Sequence, residues 1–290
     1  MNELNEWYIQ YKALLFSLAY QLTGSVADAE DAVQDVFLKV QGVQPAKLQE
    51  PKAYLCKMVT NRCLDLLKSA RKRREHYVGP WLPEPLPATY DDSSFEAVVR
   101  QELLSYAMLA LLERLTPAER AVFVLREALC FDYPAIAELT EKSEANCRKL
   151  MSRARSKMGI SEEELAAPGG AAEAWIEKFL AALSHGETET VLSMLHDDVV
   201  LFSDGGGKVS AATRPVESSM RVASFLIGIM RKEGGEADFE LANVNGQSSI
   251  VIREQGHVIA VAFLQMIDNK VKSVYFVRNP DKLQHMKGRN

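Results

Sequence analysis

The chain has 290 residues, which is enough for two or three small domains. Its composition of 47% hydrophobic and 25% charged residues, with a net charge of −5, is typical of folded globular protein and excludes a disordered or collagen-like chain. No run approaches 18 consecutive apolar residues and the start MNELNEWYIQ is neither basic nor apolar, so we expect a cytoplasmic protein without membrane helices.

The negative charge lies in the C-terminal part of the chain. Residues 1–160 carry 21 basic and 21 acidic side chains, whereas residues 161–290 carry 13 and 18. Binding to nucleic acid requires a locally basic surface, not a basic whole. The net charge therefore does not exclude DNA binding by the N-terminal part of the chain.

The first elements are two helices between Trp7 and Val40, separated at Gly24. The string DAEDAVQDVFLKV predicts an amphipathic helix with an acidic outer face formed by Asp28, Asp31, Gln34 and Asp35. Its predicted buried stripe consists of Val26, Ala29, Val33, Val36, Phe37 and Val40. A solvated acidic surface would explain this pattern as well as a binding surface would.

A loop with Gly42, Pro45 and Pro51 precedes a third helix, predicted from Lys52 to Arg74. One side of this helix is apolar and the other is basic. The basic run Arg71–Arg74 at its end suits the helix dipole and could equally be solvated.

A proline-rich segment follows, with prolines at 80, 83, 85 and 87. Such a segment is stiff and extended and cannot continue a helix. Trp81 lies between the first two prolines, and an exposed aromatic side chain of this kind usually docks on another surface.

Residues Asp132 to Met158 have the spacing of a helix-turn-helix. Asp132 is predicted to cap the first helix, the turn runs from Thr140 to Lys142, and Ser143 caps the second helix. The predicted outer face of the second helix is basic and polar: Asn146, Arg148, Lys149, Arg153, Arg155 and Lys157. These donors suit base edges near the N-terminus of the helix and phosphates farther along it.

The C-terminal third predicts helices first and an antiparallel sheet after them. Helices are expected at 174–183, 188–195 and 216–231, and strands at 196–203, 239–244, 249–254, 257–267 and 271–278. Asn245-Gly246, Gln255-Gly256 and Asp268-Asn269 are hairpin-turn dipeptides. This order predicts an α+β cone that encloses a cavity.

The four cysteines are Cys56, Cys63, Cys130 and Cys147, and each falls at an apolar position of a helical pattern. None forms a C-x-x-C pair. We therefore expect reduced core cysteines instead of disulfides, and no metal site, the alternative being a metal site formed by Cys56, Cys63 and His76.

Together with LERLTPAERAVFVLREAL at 112–129, the helix-turn-helix resembles region 4 of the extracytoplasmic-function RNA polymerase sigma factors, which reads the promoter's −35 element. The resemblance assigns −35 contacts to Ser143, Asn146, Arg148, Lys149 and Arg153. The chain departs from the common pattern at Ala135, where a capping-box Glu is usual, and at Glu141, where a turn Gly is usual.

The N-terminal helices resemble sigma region 2. By this resemblance the second helix docks on the β′ subunit of core polymerase through Asp31, Gln34, Asp35 and Phe37. The third helix would hold the melted −10 strand through Asn61, Arg62, Lys68, Arg71, Arg73 and Arg74, with a base pocket in the loop 42–50. The partners implied are core RNA polymerase (β′ and β) and promoter DNA, double-stranded at −35 and melted at −10.

Three further strings resemble the motifs of the subgroup of these sigma factors that carries a fused SnoaL-like domain: WLPEP at 81–85, DGGGK at 204–208 and NPDKL at 279–283. They predict one regulatory interface between the C-terminal cone and the DNA-binding modules. The residues assigned to it are Trp81, Leu82, Pro83, Glu84, Pro85, Asp204, Gly205, Gly206, Gly207, Lys208, Asn279, Pro280 and Asp281.

The resulting expectation is a multidomain protein with two all-α sigma modules and an α+β SnoaL-like cone. The domains are region 2 at 1–76, a linker at 77–94, region 4 at 95–160, a short linker at 161–172 and the cone at 173–290. The function expected is a transcription initiation factor, not an enzyme, without cofactors and regulated in cis by its cone.

Two alternatives concern the cone. It could be a residual enzyme in which His196, Asp197, Asp198, Asp204 or His257 acts as acid and base. It could also be a sensor of an unknown small ligand in its cavity, or a dimerisation module.

Overall fold

The computed structural model describes residues 3–41, 50–74, 76–87, 104–159, 171–233, 235 and 237–286. The chain forms two compact units. The first comprises residues 1–75, 89–104 and 108–167, and the second comprises residues 76–88, 105–107 and 168–290. The proline-rich segment therefore groups with the C-terminal part of the chain.

The first unit begins with three helices, α1 (Glu3–Thr23), α2 (Val26–Val40) and α3 (Pro51–Arg74). Helix α2 begins where the Ser25 hydroxyl accepts a hydrogen bond from the Asp28 N–H at 3.3 Å. Its predicted buried stripe is confirmed except at Phe37, which is half-buried, while Ala32 is buried in addition. The loop expected to hold the −10 base lies, at 42–49, outside the described residues.

Four more helices follow: α4 (Tyr106–Leu112), α5 (Pro117–Glu127), α6 (Tyr133–Thr140) and α7 (Glu144–Met158). Asp132 and Ser143 cap α6 and α7 as predicted, and Thr116 with Glu119 forms a capping box at α5. Cys147, Leu150, Met151, Ala154 and Met158 form the buried side of α7. Helices α6 and α7 are the predicted helix-turn-helix.

Within the first unit, α3 packs against α5 and α6, and α1 packs against α5. The buried Arg120 of α5 donates from Nε to the carbonyl oxygen of Gln21 in α1 at 3.0 Å and forms an ion pair with Glu113. At the surface, Lys57 of α3 pairs with Glu141 of the helix-turn-helix at 3.3 Å. The region-2 and region-4 helices are therefore in direct contact.

The second unit is the predicted α+β cone. Its helices are α8 (Glu173–Ser184), α9 (Thr188–Met194) and α10 (Ser219–Glu233). The strands are β1 (Leu195–Asp204), β2 (Val216–Glu217), β3 (Ala237–Val244), β4 (Gln247–Glu254), β5 (His257–Ile267) and β6 (Lys270–Val277), and a 3-10 helix spans Pro280–Met286. The start of α10 corrects the sequence prediction, because residues 216–217 form a strand.

The six strands form one sheet in the order β2-β1-β6-β5-β4-β3, antiparallel except for the parallel pair β1 and β6. Both residues of each predicted turn dipeptide have positive φ, including Asn245 at 54° and Gly246 at 72°. The hairpins are thus formed as predicted. Of the helices in the described residues, none is long and apolar enough to cross a membrane.

Candidate DNA-binding and linker-binding sites

The outer face of α7 carries the residues that sequence reasoning assigned to −35 contacts. Asn146, Arg148, Lys149 and Arg153 are all exposed. Ser143 is exposed too, but its hydroxyl accepts the Asn146 N–H at 3.3 Å and so caps the helix. The structure therefore brings four of the five side chains to one surface and gives the fifth a capping contact.

Two basic residues of α7 expected on this face are engaged elsewhere. Lys157 donates to Glu119 at 2.6 Å, and Arg155 donates to Glu127 at 2.9 Å. Burial raises the pKa of Glu119, but hydrogen bonds from Lys157 and Thr116 outweigh it and lower that pKa overall. These two cations hold α7 against α5, which corrects their assignment to the DNA-facing side.

The turn between α6 and α7 is made by Glu141, which adopts the left-handed conformation with φ 55° and ψ 44°. Glycine is the usual residue in such a position because it has no Cβ penalty there. The chain nevertheless forms the helix-turn-helix geometry, with the Glu141 and Lys142 N–H groups donating to α6 carbonyls.

In the region-2 helices, Asp31 and Gln34 are exposed on α2 as predicted. Asp35 forms an ion pair with Arg62 of α3 at 2.7 Å. This pair joins a residue assigned to polymerase with one assigned to −10 DNA, so sequence reasoning missed their mutual contact. The half-buried Phe37 meets the Tyr8 ring edge-on at 4.9 Å between centroids.

The −10 candidates lie on α3. Asn61 is half-buried, and Lys68 donates to Asp65 at 2.8 Å. The side chains of Arg71, Arg73 and Arg74 lie outside the description of this helix. The described residues thus place Asn61 near the middle of α3 and the exposed Lys68 in its second half.

The strings WLPEP, DGGGK and NPDKL meet in the second unit around Asp204, the last residue of β1. We call residues 77–87, 204–208 and 279–282 the clasp. The Asp204 carboxylate is fully buried and accepts hydrogen bonds from the Tyr77 hydroxyl at 2.6 Å and the Leu82 N–H at 2.8 Å. One buried acceptor therefore binds two points of the proline-rich segment.

The cation that balances Asp204 is Lys282. Its ammonium group lies 2.7 Å from the Asp204 carboxylate, donates to the Leu82 carbonyl and sits 3.7 Å from the centre of the Trp81 ring. Trp81 is consequently half-buried, not exposed as the sequence suggested. Lys282 was absent from the predicted interface, which included its neighbours Asn279, Pro280 and Asp281.

Tyr77 is held from both sides, by Asp204 and by the side-chain amide of Asn279, which donates to its hydroxyl at 2.8 Å. Burial and then the hydrogen bond to Asp204 raise the pKa of Tyr77 well above its ordinary value. The phenol therefore remains a hydrogen-bond donor throughout the physiological range.

The glycines of DGGGK allow this loop to fold back on itself and Asn279 to approach it. A Cβ on Gly205 would lie 2.6 Å from the Val209 carbonyl oxygen, and one on Gly206, at φ 60°, would overlap the Asn279 amide. Beside them, Lys208 and Asp281 pair at 2.6 Å, with about half of each side chain exposed. Both residues belong to the interface assigned from the sequence, and their pair is solvated.

The proline-rich segment has further attachments to the cone. Leu86 exchanges hydrogen bonds with Asn245, its N–H donating to the side chain at 2.9 Å and its carbonyl accepting the Asn245 N–H at 2.7 Å. His285 contacts the Pro85 carbonyl, and Pro87 forms a β-bridge with Val244. Leu82 and Leu86 are buried.

Tyr106, at the start of α4, binds both the proline-rich segment and the cone. Its ring stacks on Phe263 of β5 at 3.6 Å between centroids, and its hydroxyl donates to the Pro83 carbonyl at 2.7 Å. Its N–H donates to Gln247 at 3.1 Å. A buried tyrosine at the start of a helix gave no sequence signal of this role.

The cone contains a partly open pocket between its helices and its sheet. Its lining is entirely apolar: Phe179, Leu180, Leu183, Leu226, Ile229, Met230, Phe239, Ile250, Ile252, Ala262, Leu264, Val274 and Phe276. None of the polar residues considered as acid or base lines it. His196 and Asp198 contact each other at the surface, where Asp198 also pairs with Lys272 at 2.5 Å.

The cysteine prediction is confirmed for Cys56, Cys63 and Cys147, which are buried and form no disulfide. Burial raises the pKa of the Cys63 thiol. Cys130 is exposed, with φ 54° just before α6, and corrects the expectation of a core position. Across the described ranges, no group of three His, Cys, Asp or Glu side chains could hold a metal ion.

Comparisons with known proteins identify the two helical regions and relatives of the whole chain. The Sigma-70 region 2 family matches residues 7–73, and the Sigma-70 region 4 family matches residues 105–158. The chain is 35% identical over 279 residues to the ECF RNA polymerase sigma factor SigJ of Mycobacterium tuberculosis, covering 92% of this chain and 89% of that protein. It is 33% identical over 198 residues to the probable ECF sigma factor SigI of the same species, covering 65% and 66%.

The similarity extends to three dimensions. The crystal structure of the Mycobacterium tuberculosis extracytoplasmic function sigma factor SigJ matches with a TM-score of 0.78 at 31% identity, covering 96% of this chain and 98% of that one. The match therefore includes the C-terminal cone as well as the helical regions.

Proposed function

The chain belongs to the extracytoplasmic-function family of RNA polymerase sigma factors, and from this premise we propose that its C-terminal cone restrains promoter binding in cis. Sigma factors bind core RNA polymerase and promoter DNA, and we place this one with the polymerase in the cytoplasm. The observation that carries the proposal is the anchoring of Tyr77, Leu82 and Tyr106, which flank the connection between regions 2 and 4, on the cone.

Promoter geometry requires regions 2 and 4 to separate. The −10 and −35 elements are about 25 base pairs apart, which is roughly 85 Å along the duplex. In the first unit the helices of the two regions touch, through Arg120 with Gln21 and Lys57 with Glu141. This closed arrangement cannot occupy both elements, so activity requires it to open.

Tyr106, bound to the clasp at Pro83, shortens the connection that must span this distance. The 32 residues from Arg74 to Tyr106 could extend over roughly 105 Å if free. With the Tyr106 hydroxyl bound to the Pro83 carbonyl, only the nine residues from Arg74 to Pro83 separate the two modules, or roughly 30 Å of chain. The clasped connection is shorter than the promoter spacing, and the free connection is long enough.

Removing one hydroxyl tests this restraint. Tyr106→Phe keeps the ring stack on Phe263 but leaves the buried Pro83 carbonyl without its donor, at a cost of about 1 to 3 kcal/mol. We expect several-fold more transcript in vitro from full-length protein with core polymerase. Tyr275→Phe is the matched control, because its hydroxyl donates to Gln265 of β5 at 3.5 Å. Equal output from both variants would contradict the restraint.

We also assign core polymerase binding to the exposed face of α2. Asp31→Ala combined with Gln34→Ala should weaken the binding of core polymerase, measured by titration with labelled protein, without changing the unfolding transition, because both side chains are exposed. Glu177→Ala, an exposed acidic residue of α8, is the control. Unchanged affinity in the double variant would show that this face of α2 is solvated surface and does not bind core polymerase.

The −35 contacts are assigned to Asn146, Arg148, Lys149 and Arg153, and the −10 contacts to Asn61 and Lys68, with Arg71, Arg73 and Arg74 retained from the sequence. Arg62 is reassigned to a positioning role, since it is paired with Asp35. The exposed donors of α7 support the −35 assignment.

A second candidate role for the cone is sensing. The wholly apolar pocket favours an apolar small molecule over a polar one, because a polar ligand would lose its hydrogen bonds to water there. A titration of the full chain with apolar metabolites, followed by its unfolding temperature, tests this alternative. A rise with ligand concentration supports it.

A further inference from the structure

The helix-turn-helix contains a stacked arrangement of three side chains from three helices. The Tyr133 ring, at the first residue of α6, has the guanidinium of Arg148 of α7 at 4.3 Å and that of Arg126 of α5 at 5.3 Å from its centroid. Arg126 is fixed in turn by donating to the Phe131 carbonyl at 2.9 Å. Tyr133 is therefore held in place and forms a flat support under Arg148.

Arg148 remains available to a ligand despite this support. Its side chain is 59% exposed, and one amino group lies 3.4 Å from Glu144, a weak i,i+4 pair. A guanidinium stacked on an aromatic face keeps its N–H groups in a plane parallel to the ring, pointing outward. The contact with the ring thus restricts the guanidinium, while more than half of the side chain stays exposed.

Bidentate recognition of guanine needs this kind of fixed plane. Guanine presents O6 and N7 side by side in the major groove, and arginine contacts both with two parallel N–H groups. A long, flexible arginine loses conformational freedom when it binds, and preorganisation reduces that loss. Arg148 lies in the second turn of α7 after the cap Ser143, within the N-terminal part that contacts bases in helix-turn-helix proteins.

We propose that Tyr133 is a specificity-determining positioning residue, which orients Arg148 to read one guanine of the −35 element. Tyr133 itself does not touch the base. The proposal rests on the assignment of α7 as the recognition helix, and it adds the base that Arg148 reads and the residue that makes the reading selective.

The test uses full-length protein with core polymerase and a promoter mapped by footprinting, together with a panel of duplexes in which each −35 base pair is replaced in turn. For the wild type we expect roughly tenfold discrimination at one G·C pair, within the range for one bidentate contact. Tyr133→Leu and Arg148→Lys should each reduce discrimination at that pair to within about twofold, while Tyr133→Phe, which keeps the ring, should retain it.

The salt dependence separates the outcomes. If Arg148 reads a base, Tyr133→Leu leaves the slope of log affinity against log salt unchanged. A uniform loss over all duplexes with a slope lowered by about 1 would make Arg148 a phosphate contact, overturning the proposal but keeping α7 as the DNA-binding helix. If neither Tyr133→Leu nor Arg148→Lys changes binding to any duplex, both the proposal and the assignment of α7 as the recognition helix are overturned. If Tyr133→Leu does not fold, Arg148→Lys and Tyr133→Phe decide.

Discussion

Replacing Lys282 with methionine is expected to destabilise the C-terminal unit by about 3 to 5 kcal/mol, the range for breaking a buried ion pair. The substitution removes the cation and leaves the Asp204 carboxylate, which is fully buried, without a counter-charge. It also removes the group that binds Trp81 and the Leu82 carbonyl. The change is measured by denaturant unfolding and by protease cleavage within the segment 77–87.

Lys208→Met is the matched control for this experiment. The Lys208–Asp281 pair has the same chemistry, but both side chains are about half exposed, so its loss should cost less than about 1 kcal/mol. The double variant Asp204→Asn with Lys282→Met, which leaves no unpaired charge, should be more stable than the sum of the single effects implies. Similar losses for Lys282→Met and Lys208→Met would show that the buried pair does not hold the clasp.

Joining the two helical modules covalently should abolish transcription. We expect Lys57→Cys with Glu141→Cys, in a Cys130→Ser background, to be linked by a short cleavable bis-maleimide, because the native side chains lie 3.3 Å apart. Cys130 must be removed, since it is an exposed thiol, whereas Cys56, Cys63 and Cys147 are buried. The linked protein keeps regions 2 and 4 closed, so it cannot span the roughly 85 Å between the promoter elements.

The measurement is run-off transcript from the linked holoenzyme, which should fall at least about tenfold and recover when the linker is cleaved. Protein carrying Lys57→Cys alone, treated with the same reagent, controls for modification. A linked holoenzyme that transcribes at the level of the cleaved one would show that opening is not required, and the restraint proposed for the cone would lose its basis.

Local features of this fold could be predicted from the sequence because they depend on residues close together in the chain. The caps Asp132 and Ser143 fix the ends of two helices, and the dipeptide Asn245-Gly246 fixes a hairpin, through contacts within three or four residues. Strand β5 was predicted at its observed bounds for the same reason, since its apolar residues are bounded by turns on both sides.

The partners of the charged side chains could not be predicted, because they come from distant parts of the chain. The NPDKL string offers Asp281 and Lys282 as neighbours, and only the 3-10 helix decides that Asp281 faces solvent and Lys282 faces Asp204. Arg62 likewise belongs to a basic helix by sequence but pairs with Asp35 in space. The sequence predicted that WLPEP, DGGGK and NPDKL meet, but it did not predict that Lys282 joins them.

The order in which the clasp residues are synthesised has a consequence for the newly made protein. Tyr77 and Trp81 leave the ribosome early, but Lys282, which completes the charge balance at Asp204, lies 176 residues after Tyr106. At roughly 5 to 20 residues per second, this interval lasts about 9 to 35 seconds. In the later part of it, once Met158 has been synthesised, regions 2 and 4 are complete while their connection is unrestrained. A chain whose synthesis stops before Lys282 would retain both promoter-reading modules and lack their restraint, so incomplete translation should yield the more active species.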